Sequence, residues 1–163
     1  MKGKKNKKKT IFMVIGVIFL LYVGFWQFKV GNRYDRYEEK LDAYEKSLKK
    51  IEHEKKRYTL GVHRPMYLGY TGNLYICENL NFDEVGKSFV SLIIWPGIFQ
   101  KDEVGVSITY CESEENMVEV NIYLNDRFEP VEKTEENMEL YRKNKEKILS
   151  VIQMAEDIWG DCK

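Results

Sequence analysis

Apolar residues follow three different patterns along this chain, and each predicts a different kind of element. From Ile11 to Phe28 they are nearly continuous: no charge interrupts the run, and Gln27 is its only strongly polar side chain. At roughly 1.5 Å per residue this segment reaches about 27 Å as a helix, close to the thickness of a bilayer's hydrocarbon core. The run predicts one transmembrane helix over residues 11–28. Tyr22, Trp26, Lys9 and Lys29 supply aromatic and basic groups of the kind that settle at a membrane interface. A cleaved secretory signal would have a shorter apolar core and small residues at its cleavage site. Here Tyr22 and Phe25 stand around Gly24, so an uncleaved anchor is expected.

The second pattern is helical and amphipathic. Between Asn32 and Tyr58 charged residues dominate and there is no proline. Tyr34, Tyr37, Leu41, Tyr44, Leu48, Ile51 and Tyr58 fall three and four apart once Lys55 is counted among them. That spacing is the a/d seam of a coiled-coil-like stalk over residues 29–58, with Glu38, Lys40, Glu45, Glu52 and Glu54 flanking it. Such a stalk has two uses. It can pair with a second copy, helped by tethering in the membrane plane, or it can lie against its own domain or another single-span partner. As a free rod it would hold the following domain about 40 Å from the bilayer.

After residue 58 the period changes to two. Met66–Tyr70 and Leu74–Glu78 read as a hairpin about Thr71-Gly72-Asn73, followed by strands at Ser88–Trp95, Val104–Cys111 and Met117–Asn125. Val104, Val106, Ile108 and Tyr110 alternate with Gly105, Ser107, Thr109 and Cys111, as in an antiparallel sheet with one covered face. A helix starting after Thr134 and stopping at Gly160 supplies the cover, through Tyr141, Ile148, Ile152, Ala155 and Trp159. Residues 59–163 are therefore expected to form an α+β domain of four to five antiparallel strands under a long C-terminal helix.

Charge adds orientation. The chain is neutral overall, but six lysines crowd the first nine positions, forming a basic tail over residues 1–10. Residues 59–163 instead carry ten basic against nineteen acidic side chains. Basic residues beside a span stay on the cytoplasmic side, so the tail is expected in the cytoplasm and the domain outside it. Lys29, Arg33, Arg36 and Lys40 on the far flank weaken this bias. An acidic domain disfavours nucleic acid as a partner. The Lys-, Ile-, Asn- and Tyr-rich composition points to an AT-rich bacterial genome.

Candidate chemistry is sparse. Cys77, Cys111 and Cys162 allow one intrachain bridge, and Cys77 with Cys111 is the pair considered if the domain lies outside the cytoplasm. No zinc-ligand spacing occurs, because His53 and His63 lie ten apart without a C-x-x-C. The acidic turn Glu112–Asn116 does not match a calcium loop. No catalytic, metal or cofactor motif is found. Trp95-Pro-Gly-Ile-Phe-Gln100 is an apolar tip where a polar turn is expected, which makes Trp95, Ile98 and Phe99 candidate partner-binding residues.

The expected function is that of a single-pass, membrane-anchored, non-enzymatic interaction or scaffold protein. Its α+β domain would belong to a bacterial envelope assembly, through a protein partner or self-association along the stalk. In order of parts only, the chain resembles single-span scaffold subunits of bacterial envelope machines. Two alternatives remain: a membrane-tethered enzyme using His63 with Cys77, Ser88 or Ser91, and the same adaptor with its domain facing the cytoplasm.

Overall fold

The computed structural model describes residues 3–41, 48–53, 56–66, 68–78, 88–113 and 116–160. Helix α1 (Gly3–Lys40) is 38 residues long and joins the predicted span to the first part of the predicted stalk without a break. It is long and apolar enough to cross a membrane. After the lysine-rich start, residues 11–21 are apolar all round and exposed, with Phe12 74% and Leu21 69% accessible. From Trp26 onward the helix becomes amphipathic. Trp26, Val30, Tyr34, Tyr37 and Leu41 form a buried stripe at spacings of three and four, the signature of a helix facing a core.

The stalk ends there. Leu48 and Ile51 lie on strand β1 (Leu48–His53) and Tyr58 on β2 (Lys56–His63), which pair antiparallel. Tyr44 lies outside the described residues. The coiled-coil expectation fails for a physical reason already visible in its seam, which needed Lys55 to stay in phase. From Tyr58 the alternation of period two takes over: Tyr58, Leu60 and Val62 are 2%, 0% and 1% exposed, with Thr59, Gly61 and His63 on the other face. Burying side chains of this size is worth about 1.5–3 kcal/mol each, more than helix propensity opposes in this segment. The tyrosine seam of α1 meanwhile packs on the chain's own sheet. The stripe formed by Tyr34, Tyr37 and Leu41 is occupied in cis, with no free surface for a second copy.

The sheet continues with β3 (Asn73–Glu78), β4 (Ser88–Trp95), β5 (Glu103–Ser113) and β6 (Asn116–Leu124). All neighbours are antiparallel and the spatial order follows the chain, giving a six-stranded meander. Four strand expectations hold to within two residues at either end. The strand expected at Met66–Tyr70 does not form. Its described residues, 66 and 68–70, are instead part of the connection between β2 and β3, in which Thr71 makes an isolated bridge to Gly97.

The expected C-terminal helix is present in two pieces, α2 (Glu135–Lys143) and α3 (Lys145–Trp159). Thr134 caps α2 by accepting the Asn137 amide, and Gly160 ends α3 at φ 86°, a conformation suited to glycine. The break is at Asn144, 1% exposed, whose Nδ2 donates to the Leu140 carbonyl while its Oδ1 accepts from Ser88. α3 and the second half of α1 pack beside one another on one face of the sheet. The core lies between these layers, around Leu60, Ile76, Leu92, Ile108 and Ile148.

Candidate functional site

Among the described residues no helix covers the sheet's other face. Strand alternation puts Thr59, Cys77, Ser91 and Ser107 there in one row across β2 to β5, and Gly61, Tyr75, Ile93, Gly105 and Tyr123 in the next. The two glycines in the second row leave space that aromatic rings fill. A Cβ at Gly61 would meet the Tyr75 ring at 2.4 Å, and one at Gly105 would meet Trp95 at 3.0 Å. Trp95 also lies 5.4 Å from Tyr123, and Tyr75 lies 5.2 Å from His63, between ring centroids. Of these rings, Tyr75 and His63 line an open groove of about 310 Å³ that runs diagonally from His63 to Glu119.

Polar groups line the groove floor. Ser107, 4% exposed, donates to Glu119 Oε1 at 2.7 Å. Burial pushes the Cys77 thiol above its ordinary pKa, the hydrogen bond with Ser91 draws it part of the way back, and the Glu119 carboxylate adds to the rise. Burial likewise raises Tyr75. Both stay protonated at neutral pH, so Cys77 lacks the thiolate character a nucleophile needs.

His63 shares this face with Cys77 and Ser91 but does not meet them. His63 pairs with Asn73, and Cys77 stands four residues farther along β3, about 13 Å away at the strand rise. Proton transfer needs about 2.6–3.2 Å. Ser88 is on the opposite face, bonded to Asn144 and Lys147 beside a second hollow of about 350 Å³ that Tyr110, Glu139 and Lys143 help to line. Among the described residues no three metal-ligating side chains converge. The groove offers hydroxyls, a carboxylate and aromatic walls, which suit recognition of a polar, extended surface.

The disulfide expectation meets the sheet register. Cys77 is level with Ser91 and Ser107, whereas Cys111 is four residues farther along β5. Two strand spacings, about 10 Å, and about 13 Å along the strand exceed the roughly 7 Å between Cα atoms that a bridge tolerates. Cys77 is a free thiol. The Cys111 side chain and all of Cys162 lie outside the described residues.

The apolar tip resolves into three different environments. Trp95 covers Gly105 on the open face, Ile98 packs partly buried against the core, and Phe99 is 47% exposed. The tip belongs to a rim where the 64–72 and 96–102 loops meet α1. Trp26 Nε1 donates to the Gly69 carbonyl at 2.9 Å, and Tyr34 donates to the Pro96 carbonyl at 2.8 Å. The Gly72 amide donates to the Tyr34 hydroxyl at 2.6 Å. Arg33 pairs with Asp102, and Arg64 bridges Asp35 and Glu38. Sequence reasoning assigned Trp26 to the membrane and missed Met66 and Tyr70 as rim residues. The continuation of α1's apolar stripe through Trp26, Val30 and Tyr34 was the available signal. Compared with known proteins, the chain matches no protein family, no curated protein and no solved structure.

Proposed function

We propose that this chain is a single-pass, membrane-anchored interaction protein, non-enzymatic, that presents the open face of its sheet to a protein partner in a bacterial envelope assembly. One observation carries the reading. A single helix has an exposed, wholly apolar stretch over residues 11–21 and, from Trp26, a stripe built into the domain's core. Apolar surface of that extent is costly in water and compatible with lipid. Retention of the span is supported because the helix continues through Trp26 into the folded domain. The lysine tail favours a cytoplasmic N-terminus and a domain outside the cytoplasm. An adaptor role is favoured because the groove carries recognition groups while His63 stands far from Cys77 and Ser91.

Carbonate-washed membranes are expected to retain the full 163-residue chain. In a background with Cys77, Cys111 and Cys162 replaced by serine, Met117→Cys should react with an impermeant maleimide in intact cells. Recovery of a shortened, soluble chain removes the anchor, and labelling only after lysis reverses the orientation. A photo-crosslinker at Tyr123 should capture a partner protein that one at Leu149, on the helical layer, does not. Equal capture at both positions counts against the open face as the recognition surface.

A further inference from the structure

We infer that the rim of the sheet domain, through Met66, Tyr70 and Phe99, lies in the lipid interface beside α1, so that the domain rests on the bilayer and is not raised above it. This rests on the reading of α1 as a membrane span and adds a second lipid contact to it. The three side chains are 70%, 56% and 47% exposed, large apolar or aromatic groups on two loop tips. The neighbours of Phe99 and Tyr70 on α1 belong to the apolar run itself. Phe99 stacks on Phe25 with centroids 6.0 Å apart and planes 20° from parallel. Tyr70 packs edge-on against Phe99, also at 6.0 Å, and its hydroxyl lies near that of Tyr22.

Depth follows from the helix rise. Phe25 and Tyr22 stand about 4.5 Å and about 9 Å before Phe28 along the axis, at 1.5 Å per residue. Groups in contact with them therefore cannot be tens of ångströms from a membrane that holds residues 11–28. If the span instead ends where Trp26 enters the domain, the rim falls at the headgroup level. Both placements put Phe99 and Tyr70 in the interfacial zone, where aromatic side chains concentrate.

Charge near the rim agrees with this placement. Lys29 Nζ sits 5.5 Å from the Phe25 ring centroid. The Lys101 side chain is 74% exposed, with its ammonium on Asp126, and both lysines have stems long enough to reach headgroups. Arg33 and Arg64, the other cations here, are paired with carboxylates. A lipid surface is thus the occupant that matches an aromatic patch continuous with a membrane helix and edged by lysine.

The test uses the full chain, with its native cysteines replaced by serine, in phosphatidylcholine–phosphatidylglycerol vesicles. Single nitroxide labels go at Phe99→Cys, Met66→Cys, Phe19→Cys and Met117→Cys, and collisions with oxygen and with a water-soluble nickel chelate are compared. Met66 is an exposed loop position, so its label reports even if the Phe99 change disturbs the stack with Phe25. Labels at 66 and 99 are expected to show an oxygen-to-nickel ratio several-fold above that at 117 and below that at 19, which lies at the middle of the span. Water-like ratios at 66 and 99 with a lipid-like 19 overturn this inference and leave the anchor standing. Shielding of 66 and 99 from both reagents points to a protein neighbour and also overturns it. A water-like 19 removes the anchor reading and this inference together.

Discussion

The parts of α1 before and after Trp26 dispose of their apolar residues differently. Before Trp26 the apolar residues point in every direction and stay exposed, while after it they occupy one stripe that the sheet covers. One helix thus serves two solvents. The stretch over residues 11–21 needs only to be apolar, which suits lipid. The second half must match particular groups: Trp26 finds the Gly69 carbonyl, and Tyr34 both accepts from Gly72 and donates to Pro96. Tolerance to substitution should therefore change abruptly at Trp26.

The largest effect is expected at Tyr34→Ala. This side chain is fully buried, and its loss opens a cavity, takes the acceptor from the Gly72 amide and leaves the Pro96 carbonyl with the Thr71 hydroxyl alone. A loss of about 3–5 kcal/mol is expected from thermal or urea unfolding in detergent. Tyr34→Phe, which keeps the ring, should lose only about 1–2 kcal/mol. Similar losses for both would show that the hydroxyl, not packing, holds the helix to the loops.

Gly72→Ala comes next. An added Cβ would stand 1.9 Å from the His63 carbonyl oxygen, so the backbone of the 64–72 loop must move. A cost of about 1–3 kcal/mol is expected, accompanied by increased solvent access to Trp26, read from its fluorescence. An unchanged melting temperature would mean that the loop does not fix α1.

Alkaline pH probes the same contacts. Burial raises the pKa of Tyr34, Tyr75, Tyr141 and Cys77, so the folded state holds these protons more tightly than the unfolded chain does. Their contribution is fully present below the unfolded values and is lost as pH rises past about 8.5 for the thiol and about 10 for the phenols. Tyr34→Phe should flatten the fall above about pH 10, and an identical slope in both proteins would exclude Tyr34 as a source.

Smaller effects should follow outside the core. Arg64→Ala removes a guanidinium, 40% exposed, from Asp35 and Glu38 and is expected to cost about 0.5–1 kcal/mol, less in high salt. Phe12→Leu, in the exposed half, should leave domain unfolding within about 0.5 kcal/mol of wild type. A larger change at Phe12 would mean that the two halves of α1 are not independent.

The legibility of the fold varied with how much of each signal was local. Alternation through Val104–Tyr110 and Val118–Leu124 located β5 and β6, because burial on one face repeats every second residue. Thr134 and Gly160 located the helical ends through their own backbone chemistry. The segment from Leu48 to Tyr58 was misread because its charged residues fit a helix as readily as a hairpin, and the deciding partner, β3, is distant in sequence. The break at Asn144 was hidden too, since it depends on Ser88. In the candidate site, the polar alternation of β5 and β6 foreshadowed the groove floor, but its aromatic walls and the separation of His63 from Cys77 required the register.

By itself the sequence determined an apolar helix of spanning length, the lysines before it, the acidic α+β region after it and most strand positions, because composition and periodicity act over a few residues. Only the tertiary structure decided where the helix stops being exposed and becomes core. That choice depends on Gly69, Gly72, Pro96 and Phe99, loop residues with no periodic signal, which the sheet brings together against α1. It replaced an expected stalk with a domain joined directly to the end of the apolar run.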